Sequence, residues 1–134
     1  MNRQERLRQA RESMDEAVLL AHEHMGNKMV LAKYYHAMMN CLFALFDIRE
    51  IGRLTHEDII GRFEQEYVKR GKGDAAVLGA LRRAYDLTHE CDCDNMPVPT
   101  EEDIASAQYA ARSLVRTVYG TDSGEVTIHE NSAV

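Results

Sequence analysis

Apolar residues recur along most of this chain at alternating steps of three and four, the spacing that gives a helix one buried face. Over about 2–24 these positions are Leu7, Ala10, Met14, Ala17, Ala21 and Met25, and Gly26-Asn27 ends the run. A second stretch, about 28–49, aligns Val30, Tyr34, Ala37, Cys41, Leu45 and Ile48, with Met38, Leu42 and Phe46 widening the stripe. Lys33, His36, Asn40 and Asp47 fall on its other side. At 1.5 Å per residue such a helix is about 33 Å long, the span of a bundle helix.

Thr55 stands three residues before Asp58, a relative of the capping box, and opens a third helix over about 56–70. Its buried side is Ile59, Ile60, Phe63 and Tyr67/Val68. Gly71-Lys72-Gly73 breaks the chain, and Asp74 caps a fourth helix, about 75–92, on the stripe Val77, Leu81, Ala84 and Leu87 or Thr88. Met96-Pro97-Val98-Pro99 enforces an extended link, because proline disfavours helix in the residue before it. Thr100 with Asp103 caps a last helix, 101–119, that buries Ile104, Ala107, Ala111, Leu114, Val115 and Val118. Residues 120–134 hold two glycines, no aromatic residue and no helical period, which predicts a flexible C-terminal tail. The expected architecture is all-α: an antiparallel bundle of four to five helices over 1–119, its second and fourth helices central.

Composition agrees with one domain. The chain has 134 residues, 45% of them hydrophobic, only two prolines and no tryptophan, which favours helices over a many-turned β fold. A net charge of −6 argues against a broad nucleic-acid surface while leaving room for a small basic site. The charge is uneven: Arg3, Arg6, Arg8 and Arg11 stand against Glu5 alone at the start, and residues 86–103 carry seven carboxylates without a lysine or arginine. Three cysteines make no disulfide framework, and no run approaches the roughly 18 apolar residues of a membrane span. A soluble, cytoplasmic protein without a membrane role is expected.

The chemistry-bearing residues gather in Arg82-Arg83-Ala84-Tyr85-Asp86-Leu87-Thr88-His89, with Cys91 and Cys93 just beyond. An arginine that grips a phosphate and a histidine that moves a proton are the groups RNA cleavage requires. Arg82 and His89 are seven residues apart, hence on one helix face about 10.5 Å apart along the axis, with Arg83 turned roughly 120° away. A symmetric dimer would let two copies converge on one phosphate. Set against this is a solvated helix face on which Arg82 and Asp86 form an i,i+4 ion pair. His89, Cys91 and Cys93 are possible zinc ligands, although Cys-x-Cys is not the usual spacing and a second ligand pair is missing. A di-iron bundle needs two Glu-x-x-His pairs, and Asp86-Leu87-Thr88-His89 is the nearest the chain comes. Elsewhere, His36 beside Lys33 and Asn40, with Tyr34 and Tyr35 flanking it, suits a bundle edge, a ligand pocket or a dimer seam, His56 helps open the third helix, and Met25, Met29, Met38 and Met39 suit core or dimer packing. With no Gly-rich phosphate loop and no nucleophile signature, no cofactor is expected.

Three stretches together resemble the HEPN domain, a small all-helical prokaryotic family. Lys33-Tyr34-Tyr35-His36-Ala37-Met38-Met39 is similar to the tyrosine pair that opens the family's second long helix. Leu54-Thr55-His56-Glu57-Asp58-Ile59-Ile60, then Phe63 and Glu66-Tyr67-Val68-Lys69-Arg70-Gly71, resembles its middle helix. Arg82-Arg83-Ala84-Tyr85-Asp86-Leu87 followed by Asp92-x-Asp94 resembles its fourth helix and acidic turn, so the likeness spans roughly 3–119. The resemblance implies a homodimer and, in many members, a metal-independent endoribonuclease toxin with an Arg-x(4–6)-His motif and a nucleotidyltransferase-like antitoxin partner. Carried over, the catalytic positions are Arg82 or Arg83 and His89, with RNA as substrate. Other members are binding or adaptor modules without known catalysis, the alternative implied for this chain. The sequence departs from the toxin pattern where Ala84, not a polar residue, follows Arg83, and where Thr88 and Asp92-Cys93 replace an arginine and an Asp-Tyr pair.

Overall fold

A computed structural model describes residues 1–89 and 97–126 of the chain, with side chains described as far as residue 120. Among these residues the structure is helical: α1 (Arg3–His22), α2 (Asn27–Leu45), α3 (His56–Phe63), which runs into a π-helical turn (Glu64–Val68), α4 (Ala75–His89) and α5 (Glu101–Val126). The all-α expectation holds.

The starts of the helices follow local chemistry. Asn2 and Glu5 exchange side-chain-to-backbone hydrogen bonds at α1, and Thr55 and Asp58 do the same at α3, each a complete capping box. Thr100 and Asp103 repeat the arrangement at α5, at 2.9 and 3.1 Å. The Asp74 carboxylate accepts from the Ala76 amide at 2.8 Å and from the Tyr109 hydroxyl at 2.7 Å, so one residue caps α4 and ties it to α5. Asn27 at the start of α2 donates to the Pro99 carbonyl and to Glu101, both at the start of α5.

Cross-contacts fix the directions. Glu16 meets Lys33, and Arg6 meets Asn40, so α1 runs antiparallel to α2. Asn27 meets Glu101 and Tyr34 bonds Gln108, so α2 and α5 run the same way side by side. Arg83 meets Asp103 while Asp74 meets Tyr109, which sets α4 antiparallel to α5. The long helices thus alternate in direction along the chain. Ala107, Ala110 and Ala111 are fully or almost fully buried and let α5 approach α2 closely.

Twelve of the nineteen residues of α2 are buried, far more than one stripe. In α4 the buried set is Val77, Leu81, Ala84 and Leu87, a single face. The expectation that α2 and α4 share the centre is corrected: α2 is central and α4 is an outer helix. The third helix also differs from expectation, since beyond Phe63 it widens into the π turn instead of continuing as α-helix. Tyr67 stacks on Phe63 with ring centroids 5.6 Å apart, and the amides of Lys72 and Gly73 both donate to the Tyr67 carbonyl. Helix α5 runs to Val126 rather than ending near 119, so the first seven residues assigned to a tail are helical. Propagating a formed helix adds one hydrogen bond per residue, and no apolar stripe is needed for that. Residues 127–134 lie outside the described part.

Gly73 is the tightest glycine. A β-carbon there would stand 3.0 Å from Tyr67 Cβ and 3.3 Å from both Phe63 Cζ and the Val68 amide nitrogen. Gly73→Ala is therefore expected to cost about 1–3 kcal/mol through overpacking, read as a lower urea midpoint at unchanged slope. Wild-type stability would show that the turn can shift freely.

Candidate functional site

Helices α2, α3 and α4 bring five ring side chains together: Tyr35 and His36 from α2, His56 from α3, Tyr85 and His89 from α4. Tyr35 sits at the centre, 1% exposed. Its ring centroid is 5.1 Å from His89, 5.7 Å from His56, 6.2 Å from Tyr85 and 6.3 Å from His36. His89 stacks on Tyr85 at 4.2 Å and meets His56 edge-on at 5.7 Å. The Phe43 ring closes the far side of His56, and the Arg6 guanidinium lies over Phe43 at 4.5 Å.

Local chain geometry explains these positions. Tyr85 and His89 are one helical turn apart and therefore overlie each other. His56 is the first residue after the Thr55 cap, where the chain turns into α3, so its ring faces back toward α2. A buried phenol needs a hydrogen-bond partner. Tyr35 finds it in His56 Nδ1, 2.7 Å from its hydroxyl oxygen.

Proton positions follow from the electrostatics. Burial, with Tyr85 beside it, raises Tyr35 far above the usual phenol range, so its hydroxyl stays protonated and donates. Burial, then His89 and His36, lowers His56, which keeps its Nδ1 lone pair free to accept. Burial, then Lys33 and His89, lowers His36 in the same direction. His89 is exposed, and its Nδ1 lies 3.1 Å from the Tyr85 carbonyl and 2.9 Å from Thr88 Oγ1. That hydroxyl already donates to the Ala84 carbonyl. His89 Nδ1 therefore carries the proton toward oxygen acceptors, and Nε2 is left as the basic nitrogen of the neutral ring.

The arginines are directed elsewhere. Arg82 Nη2 meets Glu64 Oε1 at 2.7 Å, and Arg83 Nε meets Asp103 Oδ1 at 3.4 Å. The partner of Arg82 is thus Glu64 on the π turn, not Asp86. These pairs fasten α4 to the π turn and to the start of α5, whereas His89 turns toward Tyr35 and His56. Within one subunit the three residues singled out by the motif do not share a cleft.

Cys91 and Cys93, the other proposed zinc ligands, lie outside the described residues. Among the described residues no group of three histidine, cysteine or acidic side chains is placed to hold a metal ion. Cys41 is fully buried in α2, and burial pushes its thiol up to about 12, which leaves it unreactive. Met38 and Met39 are core residues, while Met25 and Met29 are each 48% exposed. No helix among the described residues is long and apolar enough to cross a membrane.

The ring cluster is the part of the site that sequence reasoning missed. His56 opens its helix as its place after Thr55 predicts, and its ring also reaches Tyr35. The available signal was the Tyr85-x-x-x-His89 step, which makes two rings neighbours on one helix face. The chain matches no family model, no curated protein and no solved structure.

The lowered histidines make stability depend on pH in a definite direction. For His36 and His56, ordinarily at 6.5, the unfolded chain takes up protons before the folded one does. Their contribution is fully present above about 6.5 and is lost as pH falls below it. The urea midpoint should drop between about pH 7.5 and pH 5.5, and His56→Gln should drop less. A larger fall in the variant would contradict this assignment.

Proposed function

We propose that this chain is a HEPN-like protein that cleaves RNA without a metal, and that His89 moves the proton. The observation that carries this reading is the His89 imidazole, exposed, fixed through Nδ1, and flanked by His56 and Tyr35. In this mechanism His89 Nε2 removes the proton from a ribose 2′-hydroxyl. The 2′-oxygen then attacks the adjacent phosphorus and forms a 2′,3′-cyclic phosphate. The P–O5′ bond breaks, and an imidazolium returns a proton to the departing 5′-oxygen. Arg82 or Arg83 serves the phosphate when two subunits of a homodimer present their α4 helices to a shared cleft, which requires an arginine to exchange its carboxylate for phosphate. A nucleotidyltransferase-like protein is the expected antitoxin.

A second reading, a non-catalytic adaptor module, is favoured by the ion pairs Arg82–Glu64 and Arg83–Asp103, which already occupy both guanidinium groups.

One assay separates them. Purified protein incubated with a single-stranded RNA in excess EDTA should yield fragments ending in 2′,3′-cyclic phosphate. His89→Ala should slow cleavage by about 100-fold or more, the ordinary scale of general acid–base catalysis. An intact RNA with wild-type protein, or equal rates for wild type and His89→Ala, supports the adaptor and removes the enzyme reading.

A further inference from the structure

Helices α1 and α5 each pack against α2 and leave a groove between them, away from the ring cluster. Two adjoining clefts of about 250 and 280 Å³ make up this groove, and Arg11 lines both. Arg8 and Arg11 rise from α1, and Arg112 and Arg116 line the facing side from α5. All four are exposed, and none forms an ion pair with a carboxylate among the described residues. In a chain of net charge −6 this is a concentrated exception.

Between the arginines the lining is apolar. Met14 and Val115 are half-buried in one cleft, and Leu7 lies in the other. Tyr119 closes that end, with the Arg11 guanidinium over its ring at 4.9 Å. One turn beyond Met14, Val18 is 51% exposed and extends the apolar edge of α1.

We infer that this groove is the docking site for an acidic amphipathic helix of a partner protein. Charge complementarity specifies the carboxylates: arginine forks on two facing helices clasp an acidic segment from both sides. The apolar floor specifies the amphipathic character, because apolar side chains at helical spacing bury against Met14, Leu7 and Val115. Methionine adapts its shape to such a partner. A nucleic-acid strand fits less well, since the floor presents hydrocarbon where a phosphate chain needs donors; Asp15 in the same cleft opposes either anion and leaves the apolar floor to discriminate. This inference is independent of the reaction at His89.

The test is fluorescence polarisation with the full chain. The probe is a labelled synthetic peptide of about 18 residues, long enough for helix, with leucine at i, i+3, i+4 and i+7 and glutamate between. The same peptide with lysine for glutamate, and a single-stranded RNA oligonucleotide, serve as comparisons. The acidic peptide should bind saturably and the lysine peptide should not. Arg11→Glu combined with Arg112→Glu should weaken binding by about tenfold or more, and Met14→Asp should do the same. Circular dichroism melts check each variant, and the single change Arg116→Glu at an exposed lining residue reports on the site should the double variant unfold. Equal binding of both peptides, insensitivity to charge reversal, or displacement of the acidic peptide by the RNA would overturn the proposal.

Discussion

Burial of α2 on most of its circumference is the constraint from which the remaining geometry follows. A helix with Val30, Leu31, Tyr34, Tyr35, Met38, Met39, Leu42 and Leu45 withdrawn from water must be covered on several sides at once. Helix α1 covers one side as an antiparallel partner, α5 a second as a parallel one, and α3 and α4 a third. Each outer helix then needs only a single apolar stripe. Small alanines on the buried face of α5 leave room for its neighbours. The arginine groove is lined by α1 and α5, whereas the ring cluster is built by α2, α3 and α4.

The candidate reaction centre is built directly on the core. Tyr35 belongs to the buried face of α2, yet its hydroxyl must be satisfied, and a buried unpaired donor costs about 1–3 kcal/mol. His56 supplies the acceptor and is itself held neutral by burial. His89 then packs on both rings with its Nδ1 committed to the Tyr85 carbonyl. A histidine placed in this way loses little side-chain freedom when it acts as a base, so any proton transfer starts from a preorganised group. Structural and chemical demands converge on the same side chains.

Charge is divided between the two flanks. On the α4 flank, Arg82 and Arg83 join neighbouring elements through Glu64 and Asp103, and exposed pairs of this kind add little stability, on the order of 0–1 kcal/mol. Their value is geometric, since they hold the outer helix against the π turn and α5. Along the α1–α5 groove Arg8, Arg11, Arg112 and Arg116 form no ion pair among the described residues, although Arg11 lies over the Tyr119 ring and Arg116 donates to Ser113.

The existence, order and starts of the helices were legible in the chain. Period and capping chemistry are local: Thr55 with Asp58, Asp74, and Thr100 with Asp103 fix helix starts through hydrogen bonds to residues two or three positions away. The stripe of α2 was legible as well, though not that its flanks are buried. The π turn after Phe63, the continuation of α5 to Val126 and the outer position of α4 were not legible, because each depends on contacts with distant elements or on hydrogen bonding that needs no apolar period. The same division holds for the site. The sequence by itself determined that Tyr85 and His89 stand one turn apart on the same helix, since i and i+4 share a face. Only the tertiary structure decided that Tyr35, His56 and His36 join them and that Arg82 and Arg83 turn away, because side chains from three helices meet through packing, which no spacing along the chain encodes.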